Sequence, residues 1–392
     1  MDPMNIAIFY ESVMPARGGC ETYIVDLTRR MAADGHEVHL YASQWDAATL
    51  PAGIRVHSIS PFRSLRFLRP WFFGAACLRA MRGRSHDVTV GFDKTWGQDV
   101  LYPQGGLHVA AAKHNLRKYR TRVGRGLATL GKWLDAAYWS YLLLERRQYL
   151  GSKRPTIVVN SEMVRDHFQR FYGLDREPIL VVPSAIDPER FAEHDRPRRR
   201  VEWRERWGIG AGETAGLFVA MNYRLKGLEP LLRAVRVMPD ISSFKLMVAG
   251  SPRTGRYERM ARRLGVADKV LFLGPRRDVH NCYFAADFLV HPTFYDPCSL
   301  VVLEALACGL PVITSRLNGA SELLNPPRDG YVIGDPHHYY HLADCMTQLL
   351  DPARRQAASK AARQTALEWS FDRHYRHLVQ TFAAVARRNQ AA

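Results

Sequence analysis

The sequence predicts an α/β protein made of two doubly wound parallel-sheet units in series. At 392 residues the chain is longer than the range over which one hydrophobic core keeps growing, so two domains are the default. Short apolar, strand-like runs alternate with helical patterns, as parallel α/β sheets require. A polar, Pro- and Arg-rich segment over residues 183–200 interrupts the alternation and reads as an interdomain linker, after which the alternation restarts.

In the first half the strand candidates are residues 5–10, 38–42, 88–92, 156–160 and 179–182, with helical stretches such as 21–33 and 164–172 between them. The first apolar run, Ile6-Ala7-Ile8-Phe9, follows Met1-Asp2-Pro3-Met4 directly. Lacking a basic n-region and a long apolar h-region, it reads as a first strand and not a signal peptide. In the second half the strand candidates are residues 216–220, 245–249, 270–273, 288–291, 311–314 and 330–333. This organisation gives an N-terminal domain over 1–183, a C-terminal domain over 184–370 and a terminal helix over 371–392, with a cleft between the domains as the simplest assembly.

Composition narrows the function classes. Apolar residues make up 47% of the chain and charged residues 24%, ordinary for a folded protein, so disorder is expected only at the ends. The net charge of +17 attracts polyanions: nucleic acid, anionic lipid or phosphorylated substrates. The cysteines Cys20, Cys77, Cys282, Cys298, Cys308 and Cys345 form no C-x-x-C pair and read as reduced core thiols, which favours the cytoplasm. No run of about 18 apolar residues occurs, so no segment is expected to span a membrane.

Residues 60–154 stand out. Arg63, Arg66, Arg69, Arg79, Arg82 and Arg84 are interleaved with Phe62, Phe67, Trp71, Phe72 and Phe73, with no acid between Pro61 and Ser85. From Lys113 to Arg154 there are eleven Lys/Arg and only two acids, Asp135 and Glu145, among Tyr119, Trp133, Tyr138, Trp139 and Tyr141. That mixture suits an amphipathic surface resting on anionic lipid. It also suits a solvated basic helix whose aromatics pack inward. No nucleic-acid module is present, so nucleic acid is not the expected partner.

The candidate chemistry lies at the loops after strands. The first loop, Glu11 to Gly19, ends in Gly18-Gly19 before a helix, where backbone N–H groups and the helix dipole can face a phosphate. The segment from His291 to Ile313 runs strand, acidic loop, helix, glycine, strand. Asp296 and Glu304 stand eight positions apart in it, one before the helix and one inside it. A carboxylate within the helix suits a ribose diol, and one in the loop can reach sugar hydroxyls. The N–H groups of Ser299 and Leu300 begin that helix and face the strand ends, where open α/β sheets bind ligands.

This segment resembles the acid-x7-acid signature of the retaining glycosyltransferases of family 4, which have the GT-B fold of two Rossmann-like domains facing across a cleft. The usual first acid is Glu; here it is Asp296, one methylene shorter. Gly18-Gly19-Cys20-Glu21 is similar to the family's Gly-Gly-x-Glu, and Asn160-Ser161 with Val164-Arg165 to its interdomain strand–helix. Val182-Pro183-Ser184-Ala185-Ile186-Asp187 through Phe191 is similar to its Pro-Asn-Gly-Val-Asp linker, with Ser-Ala replacing Asn-Gly. Glu368-Trp369-Ser370-Phe371 resembles the segment where a terminal helix crosses back to the first domain.

The resemblance implies that the donor diphosphate is held by an Arg and a Lys after the first strand of the second domain. Lys226-Gly227 matches; the expected Arg is Met221, so Arg224 is the candidate substitute from a shifted position. With no Asp-x-Asp motif in a suitable loop, transfer is expected to need neither metal nor cofactor. The run Gly91-Phe92-Asp93-Lys94 through His108, with the basic, aromatic stretch behind it, resembles the subgroup of lipopolysaccharide inner-core heptose glucosyltransferases. That subgroup implies UDP-glucose as donor, a lipid-linked glycan acceptor and peripheral attachment to the inner face of the membrane. His108 is the candidate to accept the acceptor's proton or bond the donor sugar, with Asp99 as the alternative. The alternatives are a different nucleotide sugar, an exopolysaccharide or other glycolipid acceptor, or a catalytically silent GT-B binding protein. The cluster His337-His338-Tyr339-Tyr340-His341 lies in a helix-like stretch away from predicted strand ends and is not expected to bind metal.

Overall fold

The computed structural model describes residues 2–15, 18–60, 65–152, 154–191 and 195–391. Met1, Ala16, Arg17, Pro61, Phe62, Arg63, Ser64, Lys153, residues 192–194 of the expected linker and Ala392 lie outside the described residues. Two compact units divide the chain: Met1–Lys113 with Thr121–Pro183 and Arg373–Ala392, and His114–Arg120 with Ser184–Asp372.

The first unit contains, in chain order, β1 (Asn5–Phe9), β2 (Ser12–Val13), α1 (Gly19–Ala33), β3 (Glu37–Ala42), β4 (Gln44–Trp45), β5 (Arg55–Ser58), α2 (Arg69–Ala80), β6 (Val88–Phe92) and β7 (Val100–Tyr102). It continues with α3 (His108–Asn115, its last two residues counted with the second unit), α4 (Arg122–Trp133), α5 (Ala136–Leu150), β8 (Thr156–Val159), α6 (Glu162–Tyr172) and β9 (Ile179–Val181). The main sheet has the order β5-β3-β1-β6-β7-β8-β9 and is parallel throughout. β2 and β4 pair separately.

The second unit holds α7 (Arg196–Arg206), β10 (Thr214–Ala220), α8 (Leu228–Val237), β11 (Phe244–Gly250), α9 (Gly255–Leu264), β12 (Val270–Gly274), α10 (Val279–Ala285), β13 (Phe288–His291) and α11 (Leu300–Ala307). β14 (Val312–Ser315), β15 (Gly330–Ile333), α12 (Tyr339–Gln348) and α13 (Pro352–Glu368) complete it. Its parallel sheet has the order β12-β11-β10-β13-β14-β15. The last helix, α14 (Phe371–Ala391), belongs to the first unit from Arg373 on, where His374 bonds the Tyr23 hydroxyl at 2.6 Å and the Pro183 carbonyl at 2.7 Å.

β1, β6, β10 and β13 are almost wholly buried, as a parallel sheet covered on both faces demands. The strand period is visible in β10. Leu217 and Val219 pack in one cluster with Met247 and Leu306; Phe218 and Ala220 pack in the other with Leu231 and Val248. Helix ends follow local chemistry. Ser161 caps α6 by accepting the Val164 N–H, and Gly173 closes it at φ 64°.

Two expectations are corrected. The linker does not run through Arg200: α7 starts at Arg196, and Arg200 and Arg204 on it hold the end of α10. Arg200 donates to the carbonyls of Phe284, Ala285 and Ala286 at the end of α10 and to Asp287 at 2.7 Å. An Arg-rich run thus caps a helix C-terminus where composition suggested a spacer. The first-half strand list also lacked a strand, because β7 sits within the run from Gly91 to His108, joining β6 to β8.

The basic, aromatic stretch divides in the same way. In α2 and α5 some of the aromatics turn inward: Phe73 and Tyr141 are buried and the Trp71 indole donates to Ser140, whereas Phe72 and Trp139 are exposed. α4 is different: none of its residues is buried, and Val123, Leu127, Leu130 and Trp133, with the following Leu134, are exposed. Among the described residues no helix is long and apolar enough to cross a membrane.

Candidate functional site

In the second unit the strand order reverses between β10 and β13, so the loops leaving their carboxyl ends flank the crevice that open α/β sheets use for ligands. Gly227 closes the β10 loop at φ 87°, and a Cβ there would lie 2.1 Å from the Pro292 carbonyl oxygen. Only glycine lets the two loops pass so closely. The Phe294 N–H then donates to the Leu225 carbonyl at 2.9 Å. Lys226 Nζ consequently reaches Asp296 Oδ2 at 2.5 Å and the Tyr295 carbonyl at 3.3 Å.

Asp296 is anchored on both sides of its peptide: its N–H donates to Leu317 and its carbonyl accepts from Gly319. Burial by itself would raise the pKa of its carboxyl. The Lys226 ammonium and His291, whose Nε2 lies 3.6 Å away, outweigh burial and hold the group well below the usual carboxylate range. His291 is buried, and that burial lowers its pKa in spite of Asp296, so the imidazole is neutral at pH 7. Its Nε2 is also 3.4 Å from Ser299 Oγ.

Ser299 precedes α11, but its N–H donates to Asn318 Oδ1 at 3.2 Å. This corrects the expectation that the Ser299 amide faces a ligand; Leu300 is the first residue of the helix. Glu304 lies on the second turn of α11 and accepts the Tyr283 hydroxyl at 2.5 Å. Burial pushes its carboxyl up to about 7, against the opposing Tyr283 hydrogen bond and the Arg190 charge. Met221 is exposed, and the Arg224 guanidinium stacks 4.0 Å from the centre of the Tyr119 ring. Tyr119 is therefore turned onto a charged side chain, not outward as a lipid-facing aromatic.

In the first unit the strand order reverses between β1 and β6, and a cavity of about 470 Å³ opens at their carboxyl ends. Tyr10 and Glu11 after β1, Asp93 and Lys94 after β6, and His108 and Glu145 line it. Asp93 sits at φ 49° and accepts the Gly105 N–H at 2.7 Å. His108 begins α3. Its N–H and that of Val109 donate to the buried Glu145 carboxylate, which also accepts the Tyr172 hydroxyl at 2.7 Å. Burial first, then Lys94 and Lys132, pushes the His108 imidazole down to about 4, and its Nε2 has no hydrogen-bond partner. A neutral ring with an unused nitrogen can accept or donate one hydrogen bond to a ligand hydroxyl.

Asp99 has a different place. Its carboxylate accepts the N–H and hydroxyl of Thr89 at 3.0 and 2.7 Å, and Thr89 is near the start of β6. It therefore lies at the amino edge of the sheet, where it joins β6 to β7 and cannot be the alternative to His108. Gly18 is extended at the N-cap of α1, and a Cβ there would approach the flexible Glu21 carboxylate at 2.9 Å; Gly19 is the first helical residue. His337 hydrogen-bonds the Arg117 carbonyl at 2.8 Å, and among the described residues no three His, Cys, Asp or Glu come together to hold a metal.

The sequence model "Glycosyltransferase Family 4" matches residues 17–190, and "Glycosyl transferases group 1" matches residues 199–365. The chain is a glycosyltransferase of this family. It is similar to the lipopolysaccharide glucosyltransferase WaaG of Escherichia coli (strain K12), with 25% identity over 348 residues that cover 88% of this chain and 90% of that protein. The solved structure of WaaG, a glycosyltransferase involved in lipopolysaccharide biosynthesis, matches with a TM-score of 0.74 at 24% identity, covering 92% and 95% of the two chains. Anabaena HepE, solved with UDP-glucose, matches with a TM-score of 0.69 at 17% identity, covering 97% and 100%. These likenesses show the GT-B fold.

Within the second unit of this glycosyltransferase, Lys226, Asp296, His291 and Ser299 form one charged, half-enclosed cluster. The sequence reading missed His291, Tyr283 and Asn318, which hold the acids and the start of α11, and Lys94 and Glu145, which shape the cavity. His291 stood within the recognised segment, but its apolar surroundings made it look like a plain strand end.

Proposed function

We propose that this glycosyltransferase moves a hexose from UDP-glucose, with retention of the anomeric configuration, onto a lipopolysaccharide-core or other lipid-linked glycan. The observation that supports it most is the Lys226–Asp296–His291 cluster at the carboxyl ends of β10 and β13, with Glu304 along α11. A cation beside a crevice favours the charge that develops on a departing diphosphate. The names of WaaG and of the HepE complex favour glucose, UDP and lipopolysaccharide.

In this reading the donor's C1–O bond to diphosphate breaks while the acceptor oxygen bonds C1 on the same face. The acceptor hydroxyl passes its proton to the departing phosphate oxygen. Lys226 and Arg224 stabilise the diphosphate, with the Gly18-Gly19 backbone assisting; Asp296 holds the transferred sugar and Glu304 the ribose. His108 orients and polarises the acceptor hydroxyl, its neutral imidazole fitting that task better than that of an obligate base.

The membrane part of the proposal rests on α4. Its apolar residues recur at helical spacing and stay exposed beside the exposed Arg122 and Arg125, as in a helix lying in an interface. Lys132 is not part of this surface, because its ammonium binds the Ala112 carbonyl.

A panel of nucleotide sugars tests the reading, scored by thermal stabilisation and by donor hydrolysis, with NMR of the product anomer. Stabilisation by UDP-glucose above other nucleotide sugars, and an α-linked product from the α-linked donor, are expected. Preference for another donor, a β-linked product, or binding without turnover would refute the corresponding part.

A further inference from the structure

We infer that the cavity at the carboxyl ends of β1 and β6 is an anion-binding subsite for a phosphorylated sugar of the acceptor. The inference rests on the reading of the chain as a transferase acting on a glycan, and names the chemistry of that glycan.

The acids of the cavity are already engaged. Glu11 pairs with Arg69 at 2.5 Å, Asp93 accepts the Gly105 N–H, and Glu145 accepts two backbone N–H groups and the Tyr172 hydroxyl. Two of the lining cations are not: among the described residues neither Arg66 nor Lys94 forms an ion pair with a carboxylate. The Lys94 ammonium instead rests 3.6 Å from the centre of the Tyr141 ring. Burial disfavours its protonated form most; Asp93 opposes that, the Arg66 charge adds to it, and Glu145 and Glu11 oppose it more weakly. Two cations that repel each other across a cavity are stabilised together by an anion between them, and a dianionic phosphate can bind both.

The rest of the lining suits a sugar. His108 brings an Nε2 without a partner, enough for one hydroxyl or one phosphate oxygen. Tyr10, Phe92 and Tyr141 supply aromatic surface. At about 470 Å³ the cavity falls within the range of small-molecule sites, roughly 300–1,000 Å³, and is large enough for a monosaccharide with its phosphate.

The test is calorimetric titration of the full chain at low salt with glucose 6-phosphate, glucose, glycerol 3-phosphate and inorganic phosphate. Glucose 6-phosphate is expected to bind at least tenfold tighter than any of the other three. Arg66→Gln and Lys94→Gln are each expected to weaken it at least tenfold. Arg66 is exposed, so its variant keeps the fold and serves as the control for Lys94. Binding of glucose 6-phosphate no tighter than glucose, or unchanged in both variants, overturns the inference. So does equal binding of glycerol 3-phosphate, which would assign the cavity to a lipid headgroup. UDP affinity measured on the same samples checks the transferase reading separately, since UDP is assigned to the second unit: it is expected to be unchanged in both variants.

Discussion

Replacing Lys226 with Ala separates what the residue does for the fold from what it does for transfer. The Lys226–Asp296 pair is mostly desolvated, with 20% and 15% of the two side chains exposed, and the distance is 2.5 Å. Removing one partner from a buried pair costs roughly 3–5 kcal/mol, because a charge is left without compensation; partial exposure and the nearby His291 place this pair at about 3 kcal/mol. For a unit of roughly 150–250 residues each kcal/mol moves Tm by about 2–4 °C, so a fall of about 6–12 °C is expected by calorimetry. The carboxyl of Asp296 is depressed in the folded state. The stability contributed by the pair is therefore complete above the unfolded carboxyl pKa of about 4 and disappears as pH falls toward the lower native value. The Tm difference between wild type and Lys226→Ala should be constant from about pH 5 to 8 and close below about pH 4. Transfer should fall by about two to three orders of magnitude at saturating donor, the scale of losing one stabiliser of a developing anion. Adding Asp296→Asn should restore most of the Tm but not the rate. If Tm does not recover in the double variant, Asp296 is not the stranded charge. A near wild-type kcat in Lys226→Ala would remove the lysine from the reacting site.

Glu304, with its carboxyl pushed up to about 7, should make UDP affinity rise between pH 6 and 8 as it ionises, and Tyr283→Phe should move that midpoint upward by removing a hydrogen bond to the ionised form. The same raised pKa means that the folded state loses stability as pH climbs from the ordinary carboxyl value through 7, so Glu304→Gln should raise Tm at pH 8 and not at pH 5. Glu304→Ala should weaken UDP binding by calorimetry, whereas Asp296→Ala should weaken UDP-glucose more than UDP; equal effects on UDP would show that the two acids do not divide ribose and sugar. Asp99→Ala should lower Tm through the lost Thr89 contacts yet keep KM and kcat within about threefold, the behaviour of a group away from the chemistry. Vesicle co-sedimentation should show salt-sensitive binding to anionic lipid that falls in Arg122→Ser/Arg125→Ser and in Leu127→Asn/Leu130→Asn, each basic residue contributing on the order of 1 kcal/mol; no binding to anionic vesicles would refute the interfacial role of α4.

Most of the strands could be read from the sequence because a parallel sheet covered on both faces needs continuous apolar runs. Residues 88–92 and 288–291 were located to the residue. The strands that escaped did so for separate reasons, weak burial in one case and shortness in the other. β5 is a half-exposed edge strand, Arg55-Val56-His57-Ser58, and β7 has only three residues between two polar turns. The acid pair at Asp296 and Glu304 was legible from spacing. Its partners His291 and Tyr283 were not, because they belong to elements whose only visible signal was hydrophobicity.

The stretch 60–154 shows why charge and aromaticity alone do not define a surface. The same composition builds three different things. α2 and α5 bury Phe73 and Tyr141 while Phe72 and Trp139 stay exposed, and Arg147 stacks 4.1 Å from the Trp96 ring. Residues 114–120 turn toward the second unit's loops, placing His114 against Tyr295 and Tyr119 under Arg224. α4 leaves its apolar residues uncovered, with Val123, Leu127, Leu130 and Leu134 all more than half exposed. What separates it is a strong helical periodicity in a helix none of whose residues is buried. A lipid-binding test should therefore alter Arg122, Arg125 and the leucines of α4, and not Lys118, whose pKa is lowered by burial and then by the Arg224 charge. Lys118 lies close to that guanidinium, so losing it would change the surroundings of Arg224 while leaving the exposed apolar residues of α4 intact.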